Sequence, residues 1–173
     1  HVRSRRQRQM CIRDSFPPAK IKAFIFAGGK SSRMGFDKAL INHPHGGNWL
    51  NHKIKILNNL KLDTYLLTNH HNHFEEVDSD SHVEVIFDTN PFEGPLHCME
   101  QIFATYNLNT KNVLIIPVDM PNLNTKLIYS LFKSWEENQN FAVISHDGIF
   151  AQPLFGIYPC LLYTSPSPRD LST

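Results

Sequence analysis

The sequence predicts an α/β fold, in which a mostly parallel, doubly wound sheet lies between helices in a three-layer, Rossmann-like arrangement. Short, continuous apolar segments at 21–27 and 113–118 are typical of strands that are buried on both faces of a parallel sheet. Segments with apolar residues at helical spacing lie between the predicted strands. The first strand runs directly into a glycine-rich segment, which is where sheets of this kind bind anionic ligands.

The predicted elements suit one domain over residues 21–160. Strands are predicted at 21–27, 64–68, 83–87, 113–118, 141–145 and 151–158, and helices at 49–60, 96–106 and 125–135. The first strand is expected to be central, and the last two are expected to form a hairpin-like pair. Asn124 or Thr125 suits the cap of the last helix, in which Leu127 is expected to face the core.

Composition excludes several classes of function. The chain has 173 residues, of which 41% are hydrophobic, so one domain with a full core is expected. Its formal net charge of +1 gives no general case for a nucleic-acid or membrane partner. Three cysteines without a C-x-x-C pair argue against a disulfide framework and a cysteine-based zinc site. We therefore expect a cytoplasmic protein with no nucleic-acid and no membrane partner.

Both ends of the chain are expected to lie outside the folded domain. Residues 1–20 are rich in arginine and lack apolar periodicity, which predicts disorder and would suit a transit peptide or a nucleic-acid-binding arm. Parts of residues 1–20 and of residues 161–173 resemble translated library-adapter sequence. We therefore interpret both ends as non-native extensions, and resequencing of the source locus would test this.

Segment 28–38 combines glycines with basic side chains at the end of a predicted buried strand. Because glycine lacks a Cβ, the backbone N–H groups of Gly28 and Gly29 can approach an anion closely. Arg33 and Lys38 supply positive charge that can neutralise phosphates. The spacing fits neither a P-loop nor a dinucleotide-binding fingerprint. An ordinary strand-to-helix turn is the alternative, but the added cations favour a site for a nucleoside triphosphate.

Asp119 follows the predicted strand at 113–118 and is a candidate metal ligand. Ligands of open α/β sheets collect at the carboxyl ends of the strands, so Asp119 should meet segment 28–38 if the two strands are neighbours. Mg²⁺ commonly takes one or two protein carboxylates and completes its shell with water and phosphate oxygens. An aspartate before Met-Pro is equally suited to a turn or a helix cap, so the residues alone leave both roles open.

Two polar clusters are interpreted as solvated loops and not as metal sites. The histidines within 70–73 lack the i, i+4 spacing of a helical metal-binding pair. The acidic residues within 75–80 are interpreted as a solvated edge. His43 and His45 lie in a segment rich in proline and glycine and are also expected to be exposed.

The eleven residues of segment 28–38, Gly-Gly-Lys-Ser-Ser-Arg-Met-Gly-Phe-Asp-Lys, resemble the signature loop of the MobA-like nucleotidyltransferases, the molybdenum cofactor guanylyltransferases. The resemblance covers about residues 21–158. It includes Asp-Met-Pro at 119–121 and Gly-Pro-Leu at 94–96. It implies a nucleotide-diphospho-sugar transferase-like fold and Mg²⁺-dependent transfer of GMP from GTP to molybdopterin-bound molybdenum, with release of pyrophosphate. It also points to molybdoenzyme maturation proteins as further partners.

The resemblance assigns roles to matching residues. Lys38, Arg33 and Asp119 would be catalytic, with Asp119 holding Mg²⁺. The nucleotide site would comprise Ala27, Gly28, Gly29, Lys30, Ser31, Lys38, Asn69, Asp88, Gly94, Pro95 and Leu96. Asp88 matches the aspartate that recognises guanine, whose N1–H and exocyclic amine are donors that cytosine does not offer as a pair. The attacking group would be a phosphate of the substrate, which is ionised at neutral pH and needs no general base.

The chain departs from the family pattern at three places. His97 and Cys98 stand where alanine and glycine are commoner, which predicts either a tighter site or a ligand contact by His97. Gln152 replaces a histidine near the acceptor. The helix, strand and Asn-rich motif that follow in the family do not occur after Tyr158, which predicts a domain that is truncated at its C-terminus.

Three other functions stay open from the sequence. The first is a cytidylyltransferase or sugar-phosphate nucleotidyltransferase on the same fold, which turnover of GTP, CTP and ATP would separate. The second is a non-catalytic nucleotide-binding domain, which would release no pyrophosphate with a suitable acceptor. The third is a nucleic-acid-binding protein, whose salt-dependent binding would be lost on deletion of residues 1–20.

Overall fold

The computed structural model describes residues 21–29, 36–44, 46–77, 81–91, 93–105 and 112–160. Several sequence predictions fall outside these residues. They concern the disorder of residues 1–20, the tail at 161–173, the ligands Lys30, Ser31 and Arg33, the exposure of His45, Asp78 and Asp80, and the helix end at Tyr106.

Six strands form one mixed, mostly parallel sheet. They are β1 (Ile21–Phe26), β2 (Asp63–Thr68), β3 (Val83–Phe87), β4 (Asn112–Pro117), β5 (Val143–His146) and β6 (Ala151–Pro159). The order is β3-β2-β1-β4-β6-β5, in which the first four strands are parallel and β6 is antiparallel to both β4 and β5. The predicted sheet, its central first strand and its antiparallel final pair are confirmed.

Helices connect most of these strands. Among the described residues they are α1 (Trp49–Asn59), α2 (Asn72–Glu76), α3 (Pro95–Thr105) and α4 (Thr125–Glu136), and a 3₁₀ turn covers Lys38–Leu40. The helices α1, α3 and α4 were predicted, whereas α2 and the 3₁₀ turn were not. Asn124 caps α4, because its side-chain oxygen accepts a hydrogen bond from the backbone N–H of Leu127 at 3.1 Å.

Both faces of the sheet are covered, because neighbouring residues of a strand point to opposite sides. Ala23 and Ile25 of β1 pack with residues of α1 and α4, whereas Phe24 packs with residues of α3. All three side chains are fully buried, which explains why the first strand is continuously apolar. The predicted three-layer architecture is confirmed.

The prediction that Leu127 faces the core is wrong. Its side chain is 38% exposed. The buried stripe of α4 consists of Ile128, Leu131, Phe132 and Trp135, which recur at the i, i+3, i+4, i+7 spacing of one helix face. Leu127 lies at the border of that face, where periodicity does not decide between burial and exposure.

The parallel strands end at a common edge. Phe26 of β1 pairs with Leu67 of β2 and with Pro117 of β4. The backbone hydrogen bonds continue past the strands, since Val118 N donates to Phe26 O at 3.0 Å and Asp88 N donates to Thr68 O at 2.8 Å. The segments that follow β1, β2, β3 and β4 therefore emerge side by side.

Two histidines that were expected to be solvated are buried. His73 in α2 is 0% exposed and forms hydrogen bonds with Thr68 and Asp37. His43 is 8% exposed, and its ring stacks on His52 with the centroids 3.7 Å apart. The prediction of an exposed loop is wrong for both, because the hydrogen bonds of His73 and the ring stacking of His43 offset the cost of burying an imidazole.

Candidate functional site

A cavity of about 410 Å³ lies at the carboxyl edge of the sheet. Its described lining comprises Phe26, Ala27, Gly28, Gly29, Asp37, Lys38, Leu67, Asp88, Gly94, Pro95, Cys98, Pro117, Val118, Asp119 and Leu154. Eight of these residues were predicted to belong to the site: Ala27, Gly28, Gly29, Lys38, Asp88, Gly94, Pro95 and Asp119. The neighbouring positions of β1 and β4 bring Gly28, Gly29 and Lys38 to the same cavity as Asp119, as the sequence predicted for adjacent strands.

A short 3₁₀ turn presents Lys38 to the cavity. Asp37, in an extended conformation, caps this turn, because its Oδ1 accepts a hydrogen bond from Ala39 N at 2.9 Å. Ala39 is fully buried and anchors the turn in the core. Lys38 lies between these two fixed residues, and its side chain remains 42% exposed.

Lys38 and Asp119 form an ion pair in the lining of the cavity. Lys38 Nζ lies 3.4 Å from Asp119 Oδ2, and the two side chains are 42% and 53% exposed. An ion pair that is this open to water contributes little to stability, because solvent screens both charges. The pair therefore separates at low cost, which leaves an ammonium group for phosphate oxygens and a carboxylate for a metal ion.

The donor set fits one Mg²⁺ ion that is shared with a ligand. The described residues contain no group of three or more His, Cys, Asp or Glu side chains placed to enclose a metal ion. Mg²⁺ needs no such group, since it commonly uses one or two carboxylates and fills its remaining positions with water and phosphate oxygens. Asp119 is an exposed carboxylate on the cavity wall and meets that requirement.

A buried lysine supports the turn that carries Asp119. Lys53 of α1 is 0% exposed, and its ammonium group donates a hydrogen bond to the backbone oxygen of Met120. It also lies 5.0 Å from the centre of the Trp49 ring. Burial lowers the pKa of Lys53 to about 8, although the negative charge of Asp119 opposes this change. Lys53 thus fixes the backbone directly after Asp119.

Asp88 directly follows β3 and also lines the cavity. Its Oδ1 accepts a hydrogen bond from Asn90 N at 3.0 Å, and Cys98 Sγ lies 3.6 Å from its Oδ2. Burial and the charge of Asp88 raise the pKa of Cys98 to about 11, so the thiol is protonated at neutral pH and acts as a donor. The carboxylate is thereby oriented and still has lone pairs for a ligand.

The turn before α3 brings backbone close to the cavity. Gly94 has φ +100°, a conformation that side chains disfavour, which explains a glycine at this position. Pro95 follows as the first residue of α3, where its missing N–H costs no helical hydrogen bond. Both residues line the cavity beside Cys98.

Asn69 lies next to Gly28. A Cβ added to Gly28 would be 3.6 Å from Asn69 Oδ1, so the two residues are in close contact. The Oδ1 and Nδ2 atoms of Asn69 are buried and have no hydrogen-bond partner in the described part of the chain. Buried polar atoms without partners are unusual, and a bound ligand is one way of satisfying them.

Three predicted contacts, Asn69, Leu96 and His97, are not among the described residues that line the cavity. Leu96 is 75% exposed. His97 interacts instead with Glu93 at 3.3 Å and Glu100 at 3.4 Å, and with the Asn90 side chain at 2.6 Å. The neighbouring Cys98 occupies the cavity wall.

Seven of the described lining residues were not predicted as part of the site, and three of them, Asp37, Cys98 and Leu154, are polar or come from a distant strand. Asp37 stood beside a predicted ligand, and its preference for helix caps was a usable signal. Cys98 was noted only as an unusual residue. Leu154 reaches the cavity because β6 pairs with β4, and no local pattern in the sequence indicates that contact.

The described part of the chain contains the four α-helices α1 to α4. None of them is long and apolar enough to cross a bilayer.

Comparisons with known proteins agree on one family. Residues 23–166 match the model of the MobA-like NTP transferase domain. A curated relative from Rhodopirellula baltica, named "Probable molybdenum cofactor guanylyltransferase", is 32% identical over 148 residues, which cover 82% of this chain and 69% of the relative.

Solved structures show the same fold. The crystal structure of molybdopterin-guanine dinucleotide biosynthesis protein A from Archaeoglobus fulgidus matches with a TM-score of 0.60 and 19% identity, over 82% of this chain and 69% of that one. The 4-diphosphocytidyl-2C-methyl-D-erythritol synthase from Anaerococcus prevotii matches with a TM-score of 0.59 and 15% identity, over 88% and 74% of the two chains. At these identities the structures establish the fold alone.

Proposed function

The chain belongs to the MobA-like NTP transferase family, and from this membership we propose that it transfers GMP from GTP to the phosphate group of molybdopterin, which carries the molybdenum, with release of pyrophosphate. The observation that carries this proposal is the meeting of Gly28, Gly29, Lys38 and Asp119 in one cavity at the carboxyl edge of the sheet. The R. baltica relative supports the choice of substrates through its name. We place the reaction in the cytoplasm and assign residues 21–160 to the catalytic domain.

The proposed reaction needs positioning and charge neutralisation more than covalent help. A phosphate oxygen of the acceptor forms a bond to the α-phosphorus of GTP, and the bond between that phosphorus and the α,β-bridging oxygen breaks. The bridging oxygen keeps the electron pair and leaves as pyrophosphate. No proton is transferred, so no general base is required.

Four residues of the cavity have defined tasks in this scheme. The backbones of Gly28 and Gly29 approach the phosphates without hindrance from a Cβ, and Lys38 neutralises the charge of the triphosphate. Asp119 would hold Mg²⁺, which when bound supplies positive charge to the phosphate oxygens. Lys30, Ser31 and Arg33 are proposed as further phosphate ligands from the family resemblance.

Asp88 is the proposed determinant of base choice. Asp88 lines the same cavity as Gly94 and Pro95 and follows β3, which is two strands away from β1, the strand that leads to Lys38. A carboxylate accepts hydrogen bonds only, which suits the N1–H and amine donors of guanine. Asn69 would contribute its unpaired amide to the same ligand.

Replacement of Asp88 with asparagine is expected to relax the preference for guanine. Asparagine keeps the shape but replaces one acceptor with a donor, so the ratio of kcat/KM for GTP to that for CTP should fall by about 10- to 100-fold. Steady-state release of pyrophosphate with both nucleotides measures this ratio. Asp63→Asn, at the opposite edge of the sheet, is the matched control. An unchanged ratio in Asp88→Asn would remove the residue from base selection.

The same measurement tests the main rival. A cytidylyltransferase on this fold would turn over CTP faster than GTP in the unmodified protein. A nucleotide-binding domain without catalysis would bind GTP but release no pyrophosphate when molybdopterin-bound molybdenum is supplied.

Cofactor-maturation proteins of molybdoenzymes are proposed as partners that receive the product.

A further inference from the structure

Two histidines in the segment after β2 contact Gly29 and Asp37, which lie near the two ends of segment 28–38. His70 Nε2 lies 3.4 Å from the backbone oxygen of Gly29, and His73 Nε2 lies 2.6 Å from Asp37 Oδ2. Gly29 precedes residues 30–35 and Asp37 follows them shortly after. His70 and His73 were predicted to lie in a solvated loop. Instead they contact the Gly29 backbone and Asp37, the cap of the turn that carries Lys38.

The His73 ring is part of a buried chain of hydrogen bonds. Its Nδ1 lies 2.6 Å from Thr68 Oγ1, and that oxygen also accepts a hydrogen bond from His70 N at 3.0 Å. The Thr68 hydroxyl is thus the donor to Nδ1, and Nε2–H is left to donate to Asp37; this tautomer follows from the network. Both Thr68 and His73 are fully buried, so water does not replace either contact.

His73 is neutral at neutral pH because its ring is buried. Burial lowers its pKa, and nearby His70 acts in the same direction, whereas Asp37 and Glu76 oppose the change. A neutral ring has one donor and one acceptor, which is the combination that Asp37 and Thr68 require.

Asp37 is held at both carboxylate oxygens. Oδ2 accepts the hydrogen bond from His73 and Oδ1 accepts the one from Ala39 N at 2.9 Å. The Asp37 side chain is only 18% exposed, so these are hydrogen bonds to a charged group that is mostly removed from water. Loss of the ring would free the carboxylate to turn toward solvent and would release the cap of the 3₁₀ turn.

We propose that His73 is a positioning residue for phosphate binding, which holds Asp37 and thereby fixes the 3₁₀ turn from which Lys38 enters the cavity. This inference rests on the proposed function, because it takes Lys38 as the phosphate-binding lysine. The same ring connects the turn to Thr68, whose backbone oxygen accepts the hydrogen bond from Asp88 N at 2.8 Å. One chain of contacts therefore joins the proposed phosphate and base sites.

Kinetics of His73→Leu and His73→Gln test the role. Leucine fills the volume without a donor, and a displacement of Lys38 by about 1 Å is expected to lower kcat/KM for GTP by about 100-fold, mostly through a higher KM. Glutamine retains one donor and one acceptor and should recover most of this loss. His82→Leu, an exposed residue before β3, is the control and should match the unmodified protein.

Asp37→Ala provides a second route to the same result. It should reproduce the loss in kcat/KM, and its combination with His73→Leu should cost little more than either change alone, because both break one contact. This variant decides the question if His73→Leu does not fold. Additive losses, or an unchanged KM in Asp37→Ala, would overturn the proposal.

Amide hydrogen exchange separates this inference from the proposed reaction. In protein without nucleotide, His73→Leu should speed exchange in a peptide that covers residues 36–44 and leave one that covers 112–117 unchanged. If the unmodified protein does not turn over GTP, the proposed function fails, and exchange alone decides the role of His73. Unchanged exchange at 36–44, or faster exchange throughout with an unchanged KM, contradicts a positioning role.

Discussion

Alanine in place of Lys38 is expected to lower kcat/KM for GTP by at least about 100-fold while the protein stays folded. Removing one group that stabilises transition-state charge typically costs about 10²- to 10³-fold. Lys38 is the cation among the described residues that lines the cavity, and its ion pair with Asp119 is too exposed to matter for the fold. Steady-state kinetics and the thermal midpoint measure the two effects separately.

A matched control for this variant is Lys55→Ala. Lys55 lies on the exposed face of α1, away from the cavity lining, so its loss should leave kcat/KM unchanged. Turnover of Lys38→Ala within a few-fold of the unmodified protein would exclude Lys38 from the mechanism. Lys38→Arg distinguishes charge from geometry, since it keeps the positive charge on a side chain of different shape.

Replacement of Asp119 with asparagine is expected to lower turnover by at least about 1000-fold at a fixed, low Mg²⁺ concentration. The change is nearly isosteric but removes the charge of the proposed metal ligand, and a neutral amide is a weaker ligand for a hard cation. Stability should change little, because Asp119 is 53% exposed. A titration of activity against Mg²⁺ should show half-activation at a higher concentration than in the unmodified protein.

The control for Asp119→Asn is the same change at another exposed aspartate. Asp63→Asn, at the start of β2, changes the same charge at the far edge of the sheet and should leave the Mg²⁺ dependence unaltered. An Asp119→Asn variant with the normal Mg²⁺ dependence and full turnover would return this residue to the alternative role of a turn former.

The sheet and its binding edge were predictable for a simple reason. Strands buried on both faces must be continuously apolar, so β1 and β4 were visible as uninterrupted apolar segments. Parallel strands end at one edge of the sheet, so the sequence alone predicts that Gly28 and Asp119 lie close together. Local pattern and global fold agree at these positions.

The supporting contacts were not predictable, because they depend on residues that are far apart in the chain. His73 lies in a polar segment, and one of the two hydrogen bonds that offset the cost of its burial is made with Asp37, 36 positions away. Lys53 follows the helical spacing of α1, but its partner, the Met120 backbone oxygen, is 67 positions away. The prediction for Leu127 was wrong for a different reason. Leu127 lies at the border of the buried face of α4, where packing and not periodicity determines whether a side chain is buried.

The central claim is that the cavity at the carboxyl edge binds a guanine nucleoside triphosphate through Lys38. Thermal unfolding of the full chain with each of the four triphosphates, with and without Mg²⁺, tests it most directly. At about 100 times the Kd, GTP with Mg²⁺ should raise Tm by about 5–10 °C, more than ATP, CTP or UTP, and this rise should be much smaller in Lys38→Ala. Equal stabilisation by all four nucleotides, or the same GTP-dependent rise in Lys38→Ala, would contradict the claim.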